Sequence, residues 1–364
     1  MEKTWHRLAA EFARAGHEVT FISRRWPEFP EQETVDGIKH LRLTGADHTG
    51  SLVVNLLLDF IWSVRVCLAL PPGDIVITNS VTLPVWLRPA KPQAGRVVAV
   101  VARMPRGQTR FYGHADLLLS LSAAVTTRIT VENARLTDRI RPFPLPIDWA
   151  LHAAAAARSA PLTIGYVGRL NPEKGIGLLL AAASRLVARS DLPAWRLRLT
   201  GPVSIPAGGG GEAWFDTLLA SHANALGDRL EIAPPEYDPR QLARCYGAID
   251  IFCYPSLADR GETFGVAIAE AMAAGCAAVV SKLACFDELV VDGETGLIFD
   301  HTTTHAEENL ASALVRLLLD APLRRRLATR AQHHAHRFDT SVVAQQLLAT
   351  LSDLNTAGPG PEPS

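Results

Sequence analysis

The chain has 364 residues, 48% apolar and 20% charged, an ordinary globular composition and long enough for two hydrophobic cores rather than one. Its 36 Lys and Arg nearly balance 37 Asp and Glu, so no global field favours nucleic acid. The first 150 residues carry a basic excess and the remainder an acidic one, which suits either a first domain facing anionic lipid or substrate or plain surface variation. The five cysteines (Cys67, Cys245, Cys253, Cys276, Cys285) have no metal-ligand spacing, which argues against a zinc scaffold and for a reducing compartment. With no secretory leader at the start, a cytoplasmic protein is expected.

In chain order, "EKTWHRLAAEFARAG" has helical apolar spacing up to Gly16, and "HEVTFIS" follows as a strand. The most apolar segment, "SLVVNLLLDFIWSVRVCLAL", is interrupted by Asn55, Asp59 and Arg65, so it is expected as a helix packed on a sheet rather than a membrane span. "DIVIT", "RVVAVVA" and "ADLLLSLS" are short buried strands, and their alternation with helices predicts a parallel sheet covered on both faces. The prolines of "RPFPLPID" end a first domain over 1–148, and 149–160 is expected to be a connection.

The pattern then restarts. "LTIGYVGRL", "WRLRLTG", "RLEIAP", "IDIFCYPS" and "AAVVS" are strands separated by helices near 176–189, 212–226, 239–246 and 266–274, a second doubly wound α/β domain over 161–338. A helix over 339–353 returning to the first domain and a disordered tail over 354–364 complete the division. The run Gly208–Gly211 lacks the Lys-Ser/Thr of a phosphate loop and reads as a flexible surface loop. His333, His334 and His336 read as a solvated helix face rather than a metal site.

Three pieces of the second half sit at carboxyl ends of expected strands, where open α/β sheets bind ligands. Gly168, Arg169 and Lys174 in "GYVGRLNPEKG" place two cations beside a helix N-terminus, a site for phosphate. In "YPSLADRGETFG" a polar loop carries Glu262 to the next helix, with backbone amides at Thr263, Phe264 and Gly265. Glu270 is the lone carboxylate of an otherwise apolar helix, and a charge there needs a partner. A ribose offers two adjacent hydroxyls to such a carboxylate. A nucleotide sugar satisfies all three pieces. A nicotinamide dehydrogenase does not fit, because no GxGxxG follows a strand.

"GRLNPEKG", "YPS…ETFGVAIAEAMAAG" and "ELVVDGETGLIF" resemble the donor domain of the retaining glycosyltransferases of family 4, which have the GT-B fold of two Rossmann-like domains facing across a cleft. The similarity runs from about Leu162 to Phe338 and more weakly through the first half. It implies transfer of a sugar from a nucleotide diphospho-sugar, UDP- or GDP-linked, without metal or cofactor, to a glycan, lipid-linked or small acceptor. Arg169 and Lys174 would neutralise the leaving diphosphate and Glu262 would contact the donor sugar. Gly168 and the amides of Thr263, Phe264 and Gly265 would line the donor site, and Glu270 would hold the ribose rather than a protein partner. No Asp-x-Asp metal pair occurs in the chain.

Two departures stand out. Family members normally open with a strand and a Gly-Gly loop, whereas this sequence opens within its first helix, so either a misplaced start or a truncated protein is expected. Where many members have a histidine after "RVVAVVA", this chain has Ala102 and Arg103. Arg103 and Arg106 are therefore either acceptor or phosphate contacts or surface charges, with His114 nearby in sequence. The leading reading is a transferase for bacterial surface polysaccharide or glycolipid, cytoplasmic or peripheral at the inner membrane face. Its rival is a catalytically impaired subunit that keeps the donor site and serves a partner.

Overall fold

The computed structural model describes residues 2–356 apart from His48 and Arg260, and omits the side chains of Glu2 and Lys3. The described residues form two compact units, 2–146 with 340–356 and 147–339. The first contains α1 (Glu2–Arg14), β1 (Val19–Arg24), β2 (Gln32–Val35), β3 (Ile38–Leu43), α2 (Leu52–Ala69), β4 (Ile75–Thr78), α3 (Leu83–Ala90), β5 (Arg96–Val101), β6 (Leu117–Ser120), α4 (Ala123–Glu132) and β7 (Ile140–Pro142). The second contains α5 (Trp149–Ala153), β8 (Leu162–Val167), α6 (Ile176–Val187), β9 (Trp195–Thr200), α7 (Glu212–Leu226), β10 (Leu230–Ala233), α8 (Pro239–Gly247), β11 (Ile251–Tyr254), α9 (Val266–Ala273), β12 (Ala277–Ser281), β13 (Gly296–Phe299), α10 (Ala306–Leu319) and α11 (Ala321–Ala335). Helix α12 (Thr340–Thr356) belongs to the first unit and packs on α1 through a stripe that includes Val343, Leu347 and Leu351.

The first unit holds two sheets rather than one. Strands β4-β5-β6-β7 are parallel, while β1-β3-β2 is mixed, with β2 and β3 antiparallel. Asp36 and Gly37, at φ 52° and 77°, close the β2–β3 hairpin with the two positive φ angles that a two-residue primed turn requires. Ile22 and Leu43 of the mixed sheet pack against the cluster of Val66, Cys67, Leu83, Leu87 and Val97, so both sheets share apolar burial.

Helix α2 departs from expectation. Only Ser63, Val66 and Cys67 are buried, while Leu52, Val53, Leu56, Leu57, Phe60 and Ile61 are exposed on successive turns. Asp59, which interrupts the apolar run, turns inward: its Oδ2 accepts from Ser80 Oγ at 3.0 Å and from the amide and hydroxyl of Thr82 at 2.8 and 2.7 Å. The helix therefore turns Asp59 inward, leaves Arg65 exposed and displays its hydrocarbon.

The second unit is a six-stranded parallel sheet in the order β10-β9-β8-β11-β12-β13. Numbered along the chain this is 3-2-1-4-5-6, so the strand order reverses between β8 and β11. Residues 149–160 are no loose connection. Asp148 caps α5, which packs on α8 and α9, and Arg158 donates to the carbonyls of Ile249 and Ala274 at 2.8 and 2.7 Å. The carboxyl-terminal helix runs to Thr356, three residues past the expected limit, and the remainder of the proposed tail, 357–364, lies outside the described residues.

Asp116 ties β5 to β6 in the first unit. Its side chain is buried, pairs with Arg88 and Arg96, and accepts from the Val97 amide at 2.9 Å. Removing a partner from such a pair strands buried charge. Asp116→Ala is expected to lower the unfolding free energy by about 3–5 kcal/mol, read from the urea midpoint.

Candidate active site

The reversal between β8 and β11 brings two of the expected residues together. The turn after β8 runs through Gly168 and Arg169 to a 3-10 turn at Pro172–Lys174, capped by Asn171 Oδ1 on the Lys174 amide at 3.2 Å. The loop after β11 carries Glu262. Lys174 Nζ and Glu262 Oε1 form an ion pair in which both residues are more than 90% buried. The same carboxylate oxygen accepts from Ser256 Oγ at 2.9 Å and Tyr254 Oη at 3.1 Å. Burial and the Glu262 charge hold the Tyr254 hydroxyl well above its ordinary pKa, so it acts only as a donor to that carboxylate. Tyr166 stacks on Tyr254 and donates to the Arg169 carbonyl at 2.9 Å, fixing the turn from below.

Arg169 stands differently. Its side chain is half exposed, and its guanidinium meets Glu173 at 3.3 Å, a surface pair that costs little to break. At the other wall, Gly265 takes φ +119° at the start of α9, and a Cβ there would crowd Ile268, Phe286 and Leu289 at 3.0–3.1 Å. The amides of Phe264 and Gly265 make no hydrogen bond among the described residues, and they stand at the positive end of the helix dipole. Thr263 is half-buried beside them.

Glu270 is a correction. It was expected to hold sugar hydroxyls and no protein partner, yet its Oε2 accepts from Tyr246 Oη at 3.0 Å and its Oε1 lies 3.7 Å from His152 Nε2. The reason is local. Glu270 lies one turn into α9, on the side that α5 and α8 cover, and the buried Tyr246 hydroxyl needs an acceptor. Its side chain remains 18% exposed, and a carboxylate accepts about four hydrogen bonds in all. Glu262 and Glu270 thus meet different protein partners, with side chains 9% and 18% exposed.

The glycine run is also corrected. It is not a flexible surface loop: the amides of Gly208, Gly209, Gly210 and Gly211 donate to the carbonyls of Ile205, Ser204, Leu170 and Val203 at 2.8–2.9 Å. A Cβ on Gly209 would stand 2.0 Å from the Val203 carbonyl oxygen, and Asn171 Nδ2 reaches the Gly208 carbonyl at 3.1 Å. All four amides being spent, the run is a lid on the Arg169 turn and no phosphate cradle. His334 likewise departs from a solvated face, since its ring bonds the Glu288 carbonyl at 3.0 Å, while His333 and His336 are exposed.

Arg103 and Arg106 are exposed on the loop after β5, and His114 is half-buried at the end of a 3-10 turn over Gln108–His114. None of their side chains makes a hydrogen bond or ion pair among the described residues, so the structure does not gather them into a site. Sequence reasoning missed Tyr246, His152, Tyr254, Ser256 and Asn171. Tyr254, Ser256 and Asn171 lay within quoted motifs without a role, and nothing in residue spacing announces which buried tyrosine meets which carboxylate.

The parallel sheets and the site at the strand-order reversal define a GT-B glycosyltransferase architecture. Sucrose-phosphate synthase from Thermosynechococcus elongatus superposes with a TM-score of 0.77 at 21% identity, covering 97% of this chain and 93% of that one. HepE from Anabaena, solved in complex with UDP, superposes with a TM-score of 0.71 at 19% identity over 97% and 96% of the two chains. The family model for glycosyl transferases group 1 matches residues 148–334, and the chain belongs to that family. A D-inositol 3-phosphate glycosyltransferase of Stackebrandtia nassauensis is 31% identical over 256 residues, 70% of this chain and 55% of that protein. The chain spans about half the length of the curated relatives it matches.

A double-mutant cycle tests the ion pair. Lys174→Met and Glu262→Gln singly are each expected to cost about 3–5 kcal/mol of unfolding free energy, and the double variant clearly less than their sum. Additive losses in urea unfolding would show that the two charges are not coupled.

Proposed function

We propose that the chain is a glycosyltransferase that moves a sugar from a UDP- or GDP-linked donor to a glycan, lipid-linked or small acceptor, with retention at the anomeric carbon and without a metal. The observation that carries this is the meeting of Lys174, Glu262 and the free amides of α9 at the β8/β11 reversal. Breaking the anomeric bond builds negative charge on the diphosphate, and fixed donors aimed there lower the barrier. Arg169 leaves its weak pair with Glu173 to meet the diphosphate. Lys174 keeps one N–H on Glu262 and turns the others to the phosphate, and the Phe264 and Gly265 amides complete the cradle. Glu262, held by three donors, faces the sugar; Glu270, braced by Tyr246, takes the ribose hydroxyls. The UDP held by HepE and the sugar-transferring name of the Stackebrandtia relative support the reading.

Calorimetric titration with UDP and GDP tests it. One nucleotide is expected to bind, with Arg169→Ala and Glu270→Ala each weakening it at least about tenfold, the loss of one charge-assisted hydrogen bond. Neither nucleotide binding would overturn the donor site. Binding without sugar transfer or donor hydrolysis would leave a nucleotide-sugar-binding subunit.

The same reading places the protein in the cytoplasm, at the inner face of the membrane. Supporting it, α2 exposes Leu52, Val53, Leu56, Leu57, Phe60 and Ile61, with Arg65 exposed one turn further on, an apolar surface with a basic flank that can lie in the headgroup boundary of a bilayer. Sedimentation with phosphatidylglycerol vesicles is expected to fall at least about tenfold in Leu57→Asp/Phe60→Asp, which removes two apolar anchors. Equal sedimentation of the two forms would sink the membrane contact.

A further inference from the structure

The carboxyl end of α2 borders an open cavity of about 590 Å³. It is lined by Leu43, the last residue of β3, by Thr44 after it, and by Arg65, Leu68 and Ala69 of the final turns of α2. Leu43, Leu68 and Ala69 give it hydrocarbon walls, and Arg65 and Thr44 give it hydrogen-bond donors. No carboxylate among the described residues lines it.

Three observations here point to an anion that carries hydrocarbon. First, Arg65 stands in line with the exposed stripe. Leu57, Ile61, Arg65 and Leu68 follow at spacings of four, four and three residues, the repeat of one helix face, and Leu68 is 79% exposed. Second, the Arg65 guanidinium donates to the Thr44 carbonyl and makes no other hydrogen bond or ion pair among the described residues. The rest of its five N–H groups are open to a ligand. Third, the carbonyls at this helix end, which ordinarily repel an anion, are already met. Lys91 Nζ donates to those of Cys67 and Leu70 at 2.6 Å each, which fixes a second cation at the same end of α2.

An exposed guanidinium alone holds a free phosphate weakly, because water competes and salt screens the pair. Hydrocarbon walls alone select nothing by charge. Joined, they match one molecule that carries a phosphate and an alkyl chain together. We propose that this cavity is a headgroup site for a single anionic phospholipid. Its phosphodiester meets Arg65 with the Thr44 hydroxyl beside it, and the first methylenes of an acyl chain lie on Leu43 and Leu68. A lipid fits better than an acidic protein segment because the apolar stripe continues from the cavity along α2 as far as Leu52. That the lipid belongs to a bilayer on which the protein sits rests on the membrane reading above; recognition of one lipid molecule does not.

The test is calorimetry on the full chain with dihexanoyl phosphatidylglycerol below its micellar concentration as the probe, beside dihexanoyl phosphatidylcholine and glycerol 1-phosphate. Phosphatidylglycerol is expected to bind at least about tenfold more tightly than either. Arg65→Ala should reduce it to the level of phosphatidylcholine, and Leu68→Asp should weaken it at least about tenfold. Both side chains are exposed, so the urea midpoints of the two variants should match the parent. Glycerol 1-phosphate binding as well as the lipid would show a site for free phosphate and overturn the proposal. Variants that bind like the parent would overturn it too, and no heat from phosphatidylglycerol at about 5 mM would leave the face to a protein partner. If the short lipid binds and phosphatidylglycerol vesicles do not sediment the protein, the site stands and the membrane contact falls. If vesicles of phosphatidylglycerol and of phosphatidylcholine sediment the parent and Arg65→Ala alike, and the short lipid gives no heat, the contact stands and the site falls.

Discussion

The buried pair between Lys174 and Glu262 is the constraint around which the second unit is arranged. Two charges taken out of water are tolerated only when they meet each other and further donors, and here Tyr254 and Ser256 supply those donors. The pair can form only if the turn after β8 and the loop after β11 end at the same height, which the parallel pairing of Ile251 with Ile164 enforces. The strand order thus determines where the charges meet, and the charges penalise any slip of that order. A site whose polar groups are fixed by the sheet is preorganised before any substrate arrives.

Two glutamates spaced by seven residues have divided the work. Glu262 lies beneath the turn with three donors on its Oε1, and Glu270 is braced by Tyr246 and left partly open. Arg169 adds a mobile cation beside the fixed one, because its partner Glu173 is on the surface. In the donor-site reading proposed above, a fixed and a less restrained cation would share the diphosphate.

Much of this was legible in the chain. Short β-branched runs marked the strands of the second unit because a parallel sheet buried on both faces needs nearly continuous apolar sequence. The motifs that carry Lys174 and Glu262 pointed to strand ends, and the structure brings those two side chains together there. What escaped was set by contacts between distant segments. The Asp36-Gly37 hairpin was locally readable but hidden in a polar stretch, and it split the first unit into two sheets. The inward turn of Asp59 reversed the expected packing of α2, and no periodicity shows that Thr82 waits 23 residues away. Tyr246 and Glu270 are 24 residues apart, and their pairing depends on how α8 crosses α9.

The packing of α12 on α1 has a consequence for synthesis. A domain that opens a chain ordinarily folds as soon as it emerges from the ribosome. Here the surface of α1 that α12 covers stays bare until residues 340–356 have been translated, by which time every strand of the second unit is already outside. The first unit is thus completed only after the second has been made, and for that interval the face of α1 that α12 covers lies open to solvent.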